Sequence, residues 1–196
     1  MQSRVEIKLR GGWLNSDDLY MPGALARAVR AFAEHPEAGV VFGDWLSADA
    51  DDRVLSMTYA FDFNLNQFKY EGFFLNAQSM FWRKDVHKRF GGFDTALYRT
   101  MDYQMILAFG INEGEKAFFR VPEALGVFRR HEEQKTQGFD GQVDSEHRMI
   151  AARYDYADKY RFIGKVKRFF YRFRRAYWYY KRGGIGYLVN QVVRGS

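Results

Sequence analysis

The chain has 196 residues, of which 47% are hydrophobic and 18% aromatic, and its formal net charge is +6. This composition excludes a disordered polymer and is sufficient for one well-cored domain with an appendage. The lack of cysteine excludes disulfides and thiolate chemistry, and no apolar run approaches the roughly 20 residues that cross a bilayer. We therefore expect a cytoplasmic protein, or one held peripherally on the cytoplasmic face of a membrane.

The net charge is distributed unevenly along the chain. Residues 159–196 hold 11 Lys and Arg and no Asp or Glu, which leaves 19 basic and 24 acidic residues in the first 158. A mildly acidic body with a net charge of −5 therefore carries a strongly basic tail. We predict a domain over residues 1–158 and a helical tail over residues 159–196.

The first predicted element is a strand over residues 5–9, where apolar and charged residues alternate before Gly11-Gly12 breaks the pattern. A helix is predicted to begin at Pro22 and to end at His35-Pro36. Its residues at helical spacing are expected to face the core: Leu25, Val29 and Phe32.

The middle of the chain continues the mixture of strands and helices. Residues 40–42 predict a buried strand that ends at Gly43-Asp44, and the stretch Asp49-Ala50-Asp51-Asp52 predicts a turn. Residues 76–82 are expected to be extended, and residues 84–90 to form a short helix that glycine terminates.

The remaining elements before the tail include a helix over residues 102–112, with three residues on its core-facing side: Met105, Ile106 and Phe109. Two strands, over residues 118–121 and 125–128, are predicted on either side of Pro122. A last helix is predicted from about Val143 to Tyr160. The order of elements predicts an α/β fold.

The sequence Asn15-Ser16-Asp17-Asp18, hereafter the acidic turn, follows a short apolar run. Two adjacent carboxylates repel each other unless solvent or a cation separates their charges. At the carboxyl end of a strand, where open α/β sheets bind ligands, Asp17 and Asp18 would hold Mg²⁺ or Mn²⁺. The alternative is that one of these aspartates caps the helix that begins at Pro22.

A series of short motifs carries a resemblance to a known family. In chain order they are Trp13–Asp18, Pro22–Leu25, Val41–Asp44, Gln78–Arg83, Phe90–Asp94, Met101–Tyr103 and Arg129-Arg130-His131 with Lys135-Thr136. Together they resemble the family 2 glycosyltransferases of GT-A fold over about residues 11–155. The resemblance implies a partial GT-A mixed sheet with flanking helices.

The resemblance identifies the acidic turn with the family's DXD-type motif, in which Asp17 and Asp18 hold Mg²⁺ or Mn²⁺ on the diphosphate of a nucleotide-sugar donor. The cation stabilises the charge that develops on the diphosphate as the glycosidic bond breaks. The other residues implied at the diphosphate are Asn15, Arg130 and His131, and His131 is also a candidate metal ligand. A surface histidine and a solvated pair of arginines are the alternatives.

Asp102 matches the aspartate that deprotonates the acceptor hydroxyl as general base in an inverting displacement. Its neighbour Met101 departs from the family pattern, in which an acidic residue is common. A helix cap is the alternative role of Asp102. The residues implied near the acceptor or the donor sugar are Gln78, Ser79 and Trp82. Trp13 and Trp82 have rings suited to stacking on a sugar face, and packing in the core is the alternative.

Complete members of this family carry several strand–helix units before the DXD-type motif, whereas here only residues 1–12 precede it. We therefore expect a domain that lacks most of the nucleotide-binding half, binds donor weakly and exposes a sheet edge that favours a homodimer. The expected function is transfer of a sugar to a hydroxyl acceptor, either a glycan or a lipid-linked one, in the synthesis of cell-surface polysaccharide or glycolipid. The alternative is a non-catalytic remnant or acceptor-binding module.

Residues 159–182 predict a basic amphipathic helix. Its apolar residues fall on one helical stripe: Phe162, Val166, Phe169, Phe170, Phe173, Tyr177 and Tyr180. The opposing flank is basic: Lys165, Arg168, Arg172 and Arg175. Such a helix suits the surface of an anionic membrane. The alternatives are packing of the stripe onto the domain and, in third place, binding of nucleic acid, for which no recognisable module is present.

Overall fold

The computed structural model of the chain describes residues 9–72, 74–130 and 141–194. Within these ranges, six strands form one sheet: β1 (Leu9–Gly12), β2 (Leu19–Tyr20), β3 (Val40–Ala48), β4 (Val54–Thr58), β5 (Met80–Arg83) and β6 (Phe118–Arg129). The α-helices of the same ranges are α1 (Ala24–Glu34), α2 (Leu65–Glu71), α3 (Lys84–Phe90), α4 (Met101–Glu113), α5 (Gly141–Arg153) and α6 (Phe162–Arg194). Short 3₁₀ turns are formed by Ala77–Ser79, Glu115–Ala117 and Ala157–Tyr160.

The strands follow the order β1-β5-β3-β6-β2, and β4 pairs with the second half of β3. Strands β3 and β6 run parallel, whereas every other pair among the described strands is antiparallel. The predicted α/β class, with a mixed sheet and flanking helices, is therefore confirmed.

Contacts divide the chain into two compact units. The sheet unit comprises residues 1–65 and 74–139, and the helical unit comprises residues 66–73 and 140–196. The boundary that the charge distribution indicates, between residues 158 and 159, does not coincide with this division. The charge distribution shows only where basic residues accumulate along the chain, whereas the two units are defined by which residues contact each other in the fold.

The core of the sheet unit lies between α1 and the sheet. Ala28, Ala31 and Phe32 of α1 pack against buried residues of three strands, Val41, Phe81 and Leu125. The next residue of β5, Trp82, points to the other face because strand side chains alternate, and there it contacts Phe109 of α4. Helices therefore cover both faces of the sheet.

The buried side of α1 differs from the predicted one. Phe32 is buried as expected, but Leu25 and Val29 are exposed. Alanines occupy the inner face instead: Ala24, Ala28 and Ala31. Small side chains allow the helix to approach the sheet closely, so residue size at the contact decides the face in a way that apolar spacing does not reveal.

Glycines in the first strand have a packing role rather than the predicted strand-breaking one. Gly11 and Gly12 both lie within β1. A Cβ at Gly11 would overlap the indole ring of Trp82, and one at Gly12 would overlap the hydroxyl of Tyr20. The two positions therefore permit the side chains of Trp82, from the adjacent strand β5, and Tyr20, from β2, to lie directly against the β1 backbone.

Two predicted strands are one in the structure. Strand β6 runs continuously past Pro122, and β3 continues past Gly43-Asp44 to Ala48. The pairing register shifts here, because Phe42 pairs with Arg120 and Asp44 with Ala124. This irregularity accommodates the missing N–H of Pro122 without ending the strand. The sequence pattern does not predict strand β4.

The two central helices match their predictions. Helix α3 spans Lys84–Phe90 and ends at Gly91, which adopts a φ of 83°. Helix α4 spans Met101–Glu113, and the expected core residues are fully buried: Met105, Ile106 and Phe109. The region predicted as a helix to Tyr160 is α5 followed by a separate 3₁₀ turn.

The helical unit is held together by polar contacts as well as packing. The hydroxyl of Tyr70 donates to Asp158 at 2.7 Å, and Lys167 donates to the same carboxylate at 2.9 Å. Glu71, whose side chain is 4% exposed, forms an ion pair of 2.9 Å with Arg175 of α6. No helix in the described segments is long and apolar enough to cross a membrane.

The Glu71–Arg175 pair provides a first test of this unit. Removing Arg175 leaves a buried carboxylate without its countercharge, so Arg175→Ala should destabilise the unit by about 2 kcal/mol. Hydrogen–deuterium exchange of the α6 amides should accelerate accordingly. The exposed neighbour Arg174 is the matched control, and equal exchange in the two alanine variants would contradict the role of the pair.

Candidate functional site

The acidic turn is fixed by hydrogen bonds to its own residues and to a distant strand. The amide of Asn15 donates to Oδ2 of Asp18 at 3.0 Å, and the indole N–H of Trp13 donates to Oδ1 of Asn15 at 2.7 Å. Oδ1 of Asp18 accepts the backbone N–H of Arg129 at 3.2 Å. Asp18 is only 3% exposed, so its carboxylate is held in one place at the end of β6.

The helix-capping alternative for the acidic turn is wrong. Helix α1 begins at Ala24, and its cap residue is Gly23, with φ 76° and ψ 6°. Pro22 and Gly23 form the turn that leads into the helix, where Ala24 donates to the carbonyl of Met21 at 2.9 Å. The bond from Arg129 to Asp18 places that carboxylate with the sheet rather than at a helix terminus.

The acidic turn lies at the carboxyl end of the parallel strand pair. Arg129 is the last residue of β6, and Arg130 donates to the carbonyl of Ala48, the last residue of β3, at 2.8 Å. The two residues that follow Asp18 form β2, which pairs with Gly126 and Val127 of β6. Open α/β sheets bind ligands at this edge.

The two arginines beside the turn differ in their surroundings. The guanidinium of Arg129 lies 2.9 Å from Asp52 and donates to the carbonyl of Ala50 at 3.0 Å, so it is anchored to the turn between β3 and β4. The turn between β3 and β4 is the one predicted at residues 49–52. Within it, the side chain of Asp49 accepts the backbone N–H groups of Asp51 and Arg53. The side chain of Arg130 is exposed.

The donor set at the acidic turn suits a hard divalent cation. Asp17 is partly exposed and stands beside the buried Asp18. A carboxylate oxygen that accepts one hydrogen bond keeps a further lone pair, and Mg²⁺ is commonly bound by one or two carboxylates together with substrate phosphates. No group of three or more acidic or histidine side chains suited to a metal occurs in the described parts of the chain. His131, the predicted third ligand, lies outside the described residues.

Gln78 and Ser79 lie in the 3₁₀ turn that precedes β5, and both are buried. The hydroxyl of Ser79 donates to the carbonyl of Asn76 at 2.9 Å. The backbone of Gln78 lies so close to β6 that a Cβ at Gly126 would overlap its carbonyl oxygen. The turn is therefore packed against β6 three residues before Arg129, near the acidic turn.

A cleft of about 310 Å³ opens beside β1 and is lined by Gly11, Gly12, Trp13, Leu14, Trp82, His87 and Phe93. The edge of Trp13 contacts Phe93, with ring centroids 4.9 Å apart, and Trp82 stacks on His87. Both tryptophans that the sequence suggests for sugar stacking line this cleft. His87 and Phe93 are not anticipated, because they follow from the position of α3 beside β1.

Asp102 occupies the second position of α4, after the cap residue Thr100, and its Oδ1 accepts the backbone N–H of Tyr103 at 2.8 Å. Burial raises the pKa of Asp102 to about 6, although the hydrogen bond from Tyr103 acts in the opposite direction. A carboxylate with a pKa in this range accepts a proton effectively near neutral pH.

The direction of α4 relates Asp102 to the acidic turn. The helix ends one 3₁₀ turn before β6 begins, where Gly39 donates to the carbonyl of Ala117 at 2.9 Å. Phe109, in its second half, packs on Trp82, which pairs with Val40 at the start of β3. The N-terminus of α4 therefore points toward the carboxyl ends of β3 and β6, the edge that holds Asp18.

Comparison with known proteins identifies no relative of this chain among family models or curated proteins. The function is therefore inferred from the residues of the site.

Proposed function

We propose that the chain is a GT-A-like glycosyltransferase domain of family 2 type, which transfers a sugar from a nucleotide-sugar donor to a hydroxyl acceptor with inversion. One observation supports this proposal above the others. The buried carboxylate of Asp18 is tied to the last residue of β6, beside Asp17 and the exposed Arg130, at the carboxyl end of the parallel strands. This edge collects acidic and basic groups suited to a metal-bound diphosphate.

In this proposal Asp17 and Asp18 hold the divalent cation, Mg²⁺ or Mn²⁺, and Arg130 binds diphosphate oxygens. The bound cation would neutralise charge on the departing nucleoside diphosphate. The hydrogen bonds from Asn15 and Arg129 orient the Asp18 carboxylate. His131 follows Arg130 directly and is proposed as a further ligand on sequence grounds.

Asp102 is proposed to accept the proton of the acceptor hydroxyl. The acceptor oxygen then forms the new bond to the anomeric carbon as the bond from that carbon to the diphosphate breaks, and attack from the opposite side inverts the configuration. In the aromatic cleft, the partly exposed Trp13 is proposed to offer its ring to the acceptor sugar. Trp82 is only 3% exposed, so it is proposed to support the cleft from the core rather than to stack on the sugar. Gln78 and Ser79 are buried in the turn that packs against β6, so they are proposed to support the backbone near the acidic turn rather than to contact the sugar.

A second candidate is an acceptor-binding module without turnover. Both oxygens of Asp18 already accept hydrogen bonds from protein groups, which is an arrangement that a purely structural aspartate also uses. The two candidates differ in what happens when the charge of the acidic turn is removed.

We expect the double variant Asp17→Asn/Asp18→Asn to lose at least tenfold in Mn²⁺ affinity, because each carboxylate supplies a hard anionic ligand. Binding is followed by electron paramagnetic resonance, in which free Mn²⁺ gives the signal, with UDP or GDP present. Turnover of a nucleotide sugar should fall by roughly a hundredfold or more.

The control is Asp51→Asn, which removes an exposed carboxylate from the turn between β3 and β4, outside the acidic turn. This variant should leave Mn²⁺ affinity unchanged. Equal Mn²⁺ affinity in the wild type and the double variant would refute the metal-binding role. Mn²⁺ binding by the wild type without any turnover of a nucleotide sugar would favour the acceptor-binding module.

A further inference from the structure

Helix α6 carries an exposed apolar face, hereafter the apolar stripe: Phe162, Ile163, Val166, Phe169, Phe170, Phe173, Tyr177 and Tyr180. The most exposed of these are Phe162 at 82%, Phe169 at 74% and Phe173 at 65%. The residues recur at intervals of three and four, so they form one continuous stripe along the helix. A contiguous exposed surface of this kind marks an interaction site.

The opposite side of α6 packs within the helical unit and fixes the direction of the stripe. Gly164 lies directly against the 3₁₀ turn, where a Cβ would overlap the backbone of Asp158 and Lys159. Tyr179 is buried, and Arg175 pairs with Glu71 of α2. These contacts hold one side of the helix within the helical unit, and the residues of the apolar stripe are exposed.

Cations border the apolar stripe on both sides. At 100° per residue, Lys165 and Arg172 fall along one edge, and Arg174 and Lys181 fall along the other. All four side chains are exposed. Residues 159–196 contain no acidic residue, so no carboxylate of this segment offsets their charge. The surface of α6 therefore combines an apolar centre with a positively charged margin on each side.

This combination of charge and apolar area distinguishes among occupants. In a pair of copies that meet stripe to stripe, the basic margins of both helices would face each other, and like charges oppose such a contact. A nucleic acid would place its phosphates on the margins and its bases on the aromatic rings of the stripe, but the aliphatic Ile163 and Val166 would give it no stacking face. An anionic lipid surface complements both features of α6. The apolar stripe contacts the acyl chains, and the basic side chains of the margins pair with the headgroup phosphates.

We propose that α6 lies along the surface of an anionic membrane, with the apolar stripe at the boundary of headgroups and acyl chains. The stripe from Phe162 to Tyr180 is about 27 Å long at the rise of an α-helix, which is long enough to engage many lipids at once. The proposal does not depend on the proposed function, since it concerns only residues of α6.

The test is flotation of the full chain with vesicles of two compositions, pure phosphatidylcholine and three parts phosphatidylcholine with one part phosphatidylglycerol. The chain should float with the anionic vesicles, and its affinity should fall as salt rises. Phe169→Gln/Phe173→Gln should weaken binding by about tenfold or more, because two large apolar groups leave the boundary. The matched control is Leu25→Gln/Val29→Gln, an exposed pair at the same spacing on α1.

A second pair of variants tests the basic margin. Lys165→Glu/Arg172→Glu should weaken binding to the anionic vesicles by roughly tenfold or more. Lys88→Glu/Lys116→Glu makes the same change of net charge at exposed sites of the sheet unit and should have a much smaller effect. Circular dichroism should show the same helix content in every variant, because all the replaced side chains are exposed.

Three results would overturn the proposal. The first is equal flotation of the wild type and the Phe169→Gln/Phe173→Gln variant. The second is a dimer, seen by sedimentation without vesicles, that this variant dissociates while the wild type fails to float. The third is failure to float together with salt-sensitive binding of single-stranded RNA that survives the loss of both phenylalanines.

Discussion

Gly126→Ala should destabilise the sheet unit by about 3 kcal/mol, measured as the free energy of unfolding in urea. The added methyl group would overlap the carbonyl oxygen of Gln78 and lie 2.8 Å from the carbonyl carbon of the same residue. Neither backbone has room to move, because Gly126 pairs with Trp45 on one side and with Tyr20 on the other. The clash is therefore with fixed main chain rather than with a flexible side chain.

The control for this variant is Gly141→Ala, at the first residue of α5, where a Cβ would meet no atom within 4 Å. This change should leave the stability unchanged or raise it slightly, because alanine loses less backbone entropy than glycine in a helix. If Gly126→Ala and Gly141→Ala unfold at the same urea concentration, the close contact between β6 and the turn before β5 is not a determinant of stability.

Asp102→Asn should produce two effects of opposite sign. As the proposed general base, Asp102 should be required for turnover, so the variant should lose a hundredfold or more in transfer rate. The stability of the fold should rise at neutral pH, because the variant removes a carboxylate that burial disfavours in its charged form. A purely structural aspartate in the first turn of a helix would show the reverse, since its loss weakens the helix.

The pH dependence follows from the raised pKa of Asp102, which is about 6 against an ordinary value of 3.8. Between these values the unfolded chain releases the proton that the native state retains, so this contribution to stability falls as the pH rises through that window. Above pH 6 the cost reaches up to about 3 kcal/mol. The gain of Asp102→Asn over the wild type should therefore be small at pH 4 and full at pH 7.5.

Asp85 provides the control, because it is an exposed aspartate in the first turn of α3 that pairs with Arg89 at 3.2 Å. Asp85→Asn should leave stability unchanged or lower it slightly at neutral pH. A loss of stability in Asp102→Asn at pH 7.5, comparable to that in Asp85→Asn, would show that burial does not govern the titration of Asp102.

Local patterns were sufficient to predict some elements and not others. Helices α3 and α4 were predictable because their apolar spacing and terminating glycine act within the segment itself. The inner face of α1 was not, because alanine side chains give a weak apolar signal and the sheet selects them by size. The continuity of β6 past Pro122 was not predictable either, since it depends on the register shift opposite Gly43-Asp44.

The candidate site shows the same division. The sequence placed Asp17 and Asp18 in a turn before a proline, and that much depends on adjacent residues. The bond that holds Asp18 comes from Arg129, 111 positions later, so no local pattern contains it. The raised pKa of Asp102 is likewise caused by burial, which the folded structure sets and no local pattern contains. The cleft beside Trp82 arises from the approach of β1 to β5, which the glycines permit.

The course of the chain between the two units has a practical consequence for protein engineering. Residues 66–73 leave the sheet unit between β4 and β5 to join the helical unit, and the chain returns before crossing again near residue 140. Truncation after residue 140 would remove Arg175, the ion-pair partner of the buried Glu71, and the carbonyl of Tyr171 that accepts a hydrogen bond from Gln67. Neither unit is therefore obtainable as a clean truncation, and single-residue replacements are the appropriate tools for separating what each one does.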